Sequence, residues 1–161
     1  MKPKVLELED KIKLMQTNMT IFYGTNHVYN HTGGNANLEE PIILDQYYGN
    51  HGDYLTYENN GIKIGTGIKH INIMANAVIR LNDSNQAGDV YVTIRKNGQK
   101  IAETSFFNNG YVPFTHSLFA NYIEVKEGDL IQLYLAGANI DINVLNDSTD
   151  KQTQLTVEVV D

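Results

Sequence analysis

The stretch GIKIGTGIKHINIMANAVIRL, residues 61–81, decides the fold of this chain. From residue 70 onward, apolar side chains alternate with mostly polar ones. The apolar set is Ile71, Ile73, Ala75, Ala77, Ile79 and Leu81, and the intervening set is His70, Asn72, Met74, Asn76, Val78 and Arg80. A period of two over this length predicts a long β-strand with one buried face. Such a strand needs neighbours on both edges, and the sequence that follows supplies them.

The sequence after this strand reads as a succession of short strands separated by polar turns. The clearest hairpin spans residues 89–107, with Asn97-Gly98 at its turn. Asn-Gly is the favoured pair for a type I′ turn, and this turn predicts that Ile94 lies opposite Ile101. Other strands are predicted at residues 41–44, 54–57, 122–125, 130–135, 140–144 and 155–159. About eight to ten strands without a helical period predict an all-β sandwich or barrel.

An amphipathic pattern precedes this β-rich region. Spacings of three and four residues separate Val5, Leu8, Ile12, Met15 and Met19. These are the spacings of the a and d positions of a coiled coil. Because two heptads are too short for a stable isolated helix, the pattern predicts either an oligomerising stalk, which we favour, or a surface helix packed on the domain. The residue types do not distinguish a dimer from a trimer.

Three segments are therefore predicted along the chain: a coiled-coil stalk at residues 1–19, a neck or linker at residues 20–38, and a head domain at residues 39–161. The neck contains His27 and His31, a spacing that would suit a metal ion on a helix. The surrounding Asn, Thr and Gly residues disfavour a helix, so no metal site is predicted.

The composition argues against several classes of partner. Nineteen acidic residues against twelve basic ones give a net charge of −7, which disfavours nucleic acid and anionic membranes. No apolar run approaches the roughly 18 residues that span a bilayer, and the first residues lack the apolar core of a signal peptide. The absence of cysteine excludes disulfides and thiolate metal sites. We expect no nucleic acid, no membrane and no cofactor.

Three segments together resemble the globular head of the complement and tumour-necrosis-factor superfamily. They are an aromatic strand, turn and long alternating strand at residues 54–81, the Arg-Lys-Asn-Gly hairpin at residues 89–107, and a strand, Gly-Asp turn and strand at residues 123–133. The resemblance implies a jelly-roll β-sandwich of ten strands that forms a trimer on a stalk.

The chain has no collagen repeat, cysteine or signal peptide, and it carries a short heptad stalk. In these respects it is more similar to phage-encoded heads of Gram-positive hosts than to animal ones. The resemblance implies a non-catalytic receptor-binding head of a phage tail or baseplate fibre, located on the virion beside other tail or baseplate proteins. Its ligand would be a host cell-wall glycan, such as wall teichoic acid or wall polysaccharide.

Two other functions stay open at this point. One is a structural virion protein, such as a capsid, neck or baseplate decoration, without a glycan ligand. The other is a tail-spike glycan hydrolase. No serine lies in a Gly-x-Ser-x-Gly elbow, and the adjacent His116 and Ser117 would point to opposite faces of a strand. We therefore predict no catalytic residues.

The candidate ligand-binding residues lie in two turn-like segments. Tyrosine and asparagine can stack on sugars and hydrogen-bond to them, although a turn-rich β protein needs Asn and Gly in any case. The first candidate is the tip formed by Asn108, Asn109 and Tyr111, and the second is the loop that contains Asn82, Asn85 and Gln86.

Overall fold

A computed structural model describes residues 3–22, 27–29, 38–81, 85–137, 141–145 and 153–161. This part of the chain contains one helix, α1 (Lys4–Met15), and thirteen strands. The strands are β1 (Asn18–Phe22), β2 (His27–Tyr29), β3 (Leu38–Pro41), β4 (Gln46–Tyr48), β5 (Leu55–Glu58), β6 (Gly61–Ile64), β7 (His70–Leu81), β8 (Ala87–Lys96), β9 (Gln99–Asn109), β10 (Phe114–Glu124), β11 (Leu130–Gly137), β12 (Ile142–Val144) and β13 (Gln154–Val159).

Two antiparallel sheets pack into a β-sandwich, which confirms the predicted all-β class. The first sheet has the order β2-β12-β7-β13-β1-β4, and β10 also pairs with β7. The second sheet has the order β5-β6-β11-β8-β9, and β3 also pairs with β11. Most neighbours in each sheet are distant in sequence, so the sandwich forms only when remote parts of the chain meet.

Strand β7 lies at the centre of the first sheet, as its alternation predicts. Its inward-facing side chains, Ile71, Ile73, Ala75, Ala77, Ile79 and Leu81, are at most 2% exposed. They belong to one hydrophobic core that both sheets share. Complete burial of a single Ile or Leu side chain contributes roughly 1.5–3 kcal/mol to stability, so this strand accounts for a large part of the core.

The β8–β9 hairpin has the predicted turn but a different register. Asn97 and Gly98 both have positive φ, 52° and 80°, as a type I′ turn requires. Beyond the turn, a register shift places Ile94 opposite Ala102. The prediction that Ile94 faces Ile101 is therefore wrong, because an irregularity of the β-bulge type adds a residue to β9.

Strand β10 was only partly foreseen, as a strand at residues 122–125. It runs from Phe114 to Glu124 and pairs with β7 along its length, with a register shift between Ala120 and Ile123. The inward-facing positions include His116, which is 0% exposed. A polar residue on the buried face conceals the period of two in the sequence, so the strand was missed.

The segment after α1 belongs to the sandwich rather than to a stalk or neck. Helix α1 ends at Met15, and Met19 lies in β1 with 1% of its side chain exposed. Placing Met19 in the stalk was wrong, because from Asn18 onward an alternating pattern packs Met19 and Ile21 into the core. The predicted neck at residues 20–38 likewise contains parts of β1, β2 and β3, all of them paired within the two sheets.

Helix α1 itself buries none of its residues. Val5, Leu8, Ile12 and Met15 remain between 54% and 65% exposed. Its length of 12 residues is marginal for an isolated helix in water. In the described part of the chain, no helix is long and apolar enough to cross a membrane.

The strand predicted at residues 41–44 lies slightly earlier in the structure. Only Pro41 belongs to β3, and the chain then leaves the ladder. Ile42 and Leu44 are nevertheless fully buried, and the N–H of Ile42 donates to the carbonyl of Leu133 at 2.8 Å. The prediction of a strand over residues 41–44 is therefore wrong beyond Pro41, although Ile42 and Leu44 pack into the core.

Candidate ligand-binding site

The two predicted ligand-binding segments meet at one end of the sandwich. Ala87 pairs with Asn109 where the β8–β9 hairpin opens, and the N–H of Gly110 donates to the carbonyl of Gln86 at 2.8 Å. The N–H of Leu81 donates to the carbonyl of Gly110 at 3.1 Å, which ties both segments to the end of β7. We call this region the loop end and define it by residues 80, 85–87, 109–111, 141 and 143.

Several predicted residues present polar or aromatic surface at the loop end. Asn85 and Asn109 are exposed, and Tyr111 is 53% exposed. The side chain of Gln86 is half-buried, and its Oε1 accepts a hydrogen bond from the N–H of Asp141 at 3.2 Å. Gln86 therefore holds the β12 segment against the loop, whereas Asn109 and Tyr111 face solvent.

Asn108 does not have the exposed position that was predicted for it. It lies opposite Gly88 on β9, and its side chain is 0% exposed. The side chain points inward, and neither its Oδ1 nor its Nδ2 has a hydrogen-bond partner among the described residues. The strand continues through Asn109, so the turn begins two residues later than predicted and Asn108 falls on the buried face. Asn82 lies outside the described residues.

Arg80 and Asn143 belong to the loop end but were not predicted. The two residues pair across β7 and β12, and the guanidinium carbon of Arg80 lies 5.4 Å from the ring centroid of Tyr111. Both the Nε of Arg80 and the Oδ1 of Asn143 are buried without a hydrogen-bond partner in the described structure. One signal in the sequence was available: Arg80 is the only arginine or lysine between residues 70 and 81.

The positions of His116 and Ser117 argue against nucleophilic catalysis by this pair. Burial lowers the pKa of His116 to about 4, so its imidazole is neutral near pH 7. The Oγ of Ser117 faces the other side of the sheet, where it donates to the Oδ1 of Asn76 at 2.8 Å. The two side chains therefore cannot act together as base and nucleophile.

Among the described residues, no group of three His, Asp or Glu side chains could hold a metal ion. The side chains of His27 and His31 lie outside the described part, so the prediction that they bind no metal stays a prediction. The described carboxylates include several engaged in ion pairs, among them Glu39 with Arg95 at 2.6 Å.

A second exposed surface lies on the outer side of the first sheet. Phe119 and Met74 are cross-strand neighbours on β10 and β7, and they are 62% and 41% exposed. Tyr122 is 59% exposed and has a φ of 55°, an unusual value for an aromatic residue. Its ring stacks on His70 with centroids 4.0 Å apart. We call Met74, Phe119 and Tyr122 the outer apolar face.

Comparison with known proteins does not assign the chain to a family. No known protein family matches the sequence, and no curated protein is significantly similar to it. The functional argument therefore rests on the residues and on their arrangement.

Proposed function

We propose that this protein is a non-catalytic receptor-binding head that recognises a cell-wall glycan of a Gram-positive bacterium. The observation that carries the proposal is the convergence of the two predicted segments at the loop end, where Asn85, Asn109 and Tyr111 are all exposed. An exposed aromatic ring stacks on the apolar face of a sugar, and neighbouring amides donate and accept hydrogen bonds. The loop end has both kinds of group.

A jelly-roll topology accompanies this proposal. In the described chain β1 pairs with β13, β6 with β11, β7 with β10 and β8 with β9. Among these eight strands the first pairs with the last, the second with the seventh, the third with the sixth and the fourth with the fifth. Such nesting arises when one long hairpin folds over into two sheets, and it supports a jelly roll.

A homotrimer is also part of the proposal, with α1 as a short coiled-coil stalk. The a and d residues Val5, Leu8, Ile12 and Met15 are all exposed in the single chain, and the outer apolar face adds exposed apolar surface on the head. Unpaired apolar surface of this kind favours contact with another subunit. Three sites on one particle would raise avidity for a repetitive polymer even when each site is weak.

The place of action that we propose is the phage virion, on a tail or baseplate fibre beside other tail proteins. The net charge of −7, the many Asn and Gly residues and the exposed loop end are compatible with an adhesin exposed to solvent. The following experiment distinguishes this adhesin from two alternatives, a structural virion protein without a glycan ligand and a tail-spike hydrolase.

Binding of fluorescently labelled protein to Gram-positive cells tests the adhesin. Matched cells stripped of teichoic acid and wall polysaccharide serve as the control surface. We expect binding that is lost on stripping and is reduced by Tyr111→Ala and Asn109→Ala. Tyr48→Ala is the matched control and should leave binding unchanged, because Tyr48 is equally exposed, at 54%, but lies on a different strand, β4.

Each alternative gives a different result in that assay. Absence of binding across a panel of hosts would reject the adhesin in favour of a structural virion protein. Release of reducing sugar or of phosphate-containing fragments from isolated walls would show a hydrolase instead.

Light scattering tests the trimer. We expect three subunits for the wild-type chain and a lower mass for Ile12→Asp and for Phe119→Asp. Ser105→Asp, on the exposed side of the second sheet, should leave the mass unchanged. A wild-type monomer at micromolar concentration would overturn the stalk and trimer assignment.

A further inference from the structure

The chain contains two arginines, Arg80 and Arg95, among 19 acidic residues. Each guanidinium lies over a tyrosine ring, so the two sites can be compared directly. Arg95 lies 4.5 Å from the ring centroid of Tyr134, and Arg80 lies 5.4 Å from that of Tyr111. The two arginines differ in their hydrogen-bond and ion-pair partners.

Arg95 has a complete set of partners. Its Nη2 donates to the Oε2 of Glu39 at 2.6 Å, and its Nε donates to the Oγ1 of Thr93 at 3.2 Å. Nη1 reaches the carbonyl of Gly98 at 3.4 Å. A guanidinium presents five N–H donors on three nitrogens, and each of the three nitrogens of Arg95 has an acceptor.

Arg80 has none of these partners in the described structure. It makes no ion pair with any described carboxylate, and its buried Nε has no acceptor. A buried N–H without an acceptor is unfavourable, because its desolvation is not repaid by a hydrogen bond.

The residue opposite Arg80 adds a second unsatisfied group. Asn143 is 6% exposed, and its Oδ1 has no donor among the described residues. Cross-strand neighbours of this kind have Cβ atoms roughly 4.5–5.5 Å apart. Within the described residues, a guanidinium Nε without an acceptor and an amide oxygen without a donor therefore lie on neighbouring strands, beside the exposed ring of Tyr111.

We propose that Arg80, with Tyr111 and Asn143, forms an anion subsite that takes a phosphodiester or carboxylate group of a surface glycan. The inference rests on the proposed glycan-binding function and narrows its ligand to charged polymers. The planar guanidinium binds either anion through two parallel N–H donors. Tyr111 holds the guanidinium plane through a cation–π contact, and Asn143 is the buried cross-strand neighbour of Arg80.

Arginine side-chain NMR tests the subsite without any glycan. With two arginines, a spectrum of the Nε–H groups contains two signals, which Arg80→Lys assigns. Titration with inorganic phosphate, and separately with acetate, should shift the Arg80 signal in a saturable way and leave the Arg95 signal in place. No shift, or equal shifts of both signals, would overturn the proposal.

Titration calorimetry with defined polymers then tests the ligand class. The probes are polyglycerol phosphate, polygalacturonate and dextran, which carry phosphodiester, carboxylate and no charge. Arg80→Gln should weaken binding of the charged polymer by about tenfold or more, because it removes the charge-assisted hydrogen bonds to the anion. Lys63→Gln removes the same charge from an exposed side chain on β6 and should have no such effect. Equal thermal unfolding of both variants checks their fold.

The results separate this inference from the proposed function. Equal binding of dextran and charged polymers, unchanged by Arg80→Gln, would reject the anion subsite while the adhesin stands. A saturable phosphate shift at Arg80 without binding of any polymer or cell would retain the subsite and reject the glycan adhesin. The charged polymer that binds identifies phosphodiester or carboxylate as the recognised group.

Discussion

Phe106 on β9 lies edge-on to His116 on β10, with ring centroids 4.8 Å apart and planes at 86°. The two strands belong to different sheets, so this contact closes one side of the sandwich. His116 is 0% exposed, whereas Phe106 is 46% exposed. Neither ring nitrogen of His116 has a hydrogen-bond partner among the described residues. The contact thus places a partly exposed phenyl ring against an imidazole that is fully buried from solvent.

The stability of the protein should fall as pH decreases from about 6.5 to about 4, because of His116. Burial lowers the pKa of its imidazole from 6.5 to about 4, so over this range the unfolded chain binds a proton that the folded chain does not. The contribution reaches at most about 3 kcal/mol at the acid end, taking roughly 1.4 kcal/mol per pKa unit. Urea unfolding at several pH values measures it.

His116→Leu should flatten that part of the pH profile and leave stability at pH 7 equal or higher, because an apolar side chain replaces an unpaired polar one. Ser117→Ala is the control, because Ser117 lies on the exposed face of the same strand and has no titratable group, so the slope should stay unchanged. An unaltered slope in His116→Leu would show that another group is responsible.

Asn108→Leu should stabilise the fold by about 1–2 kcal/mol. Both polar atoms of the buried Asn108 amide lack partners among the described residues, and a buried unsatisfied group costs roughly 1–3 kcal/mol. The same variant should leave ligand binding intact, because the side chain does not reach the surface. Chemical denaturation and cell binding together check both statements, and a loss of stability would mean that Asn108 has a partner in the assembled protein.

Asn97→Ala should destabilise the fold by about 2–3 kcal/mol. Asn97 has a positive φ of 52°, its Nδ2 donates to Asp129 at 2.8 Å, and its Oδ1 accepts from the N–H of Leu130 at 2.9 Å. Each hydrogen bond contributes about 1 kcal/mol, and alanine adds strain at positive φ. A double-mutant cycle with Asp129→Ala should show a coupling of at least about 0.5 kcal/mol; additivity would contradict the contact.

Gly61→Ala should destabilise the fold by about 1–3 kcal/mol, the usual range for overpacking. A Cβ at Gly61 would lie 2.7 Å from the carbonyl oxygen of Ile131 and 2.7 Å from the Cγ of Gln132, so β6 and β11 must separate. Lys63→Ala on the same strand is the control, because Lys63 is exposed and surface changes usually stay within about 0.5 kcal/mol. Equal unfolding free energies for the two variants would contradict this expectation.

The parts of the fold that followed from the sequence are those that local patterns specify. The period of two in β7 and the Asn97-Gly98 turn both correspond to observed elements. The candidate site followed in part: Tyr111, Asn109 and Asn85 are exposed at one end of the sandwich. The sequence did not place Arg80 at the loop end, because its position beside Asn143 and Tyr111 depends on the pairing of β7 with β12 and on the turn at residue 110.

The sequence alone therefore predicts the β class, the central strand and the position of the sharpest turn, because side-chain period and turn conformation depend on neighbours along the chain. Contacts between remote segments were needed to show that Met19 and Asn108 face inward, that β9 carries an extra residue beside Ile94, and that residues 85–87 lie against residues 109–111. These features depend on pairing between strands remote in sequence. Each gains its stability from burial in a shared core, which no local segment can supply alone.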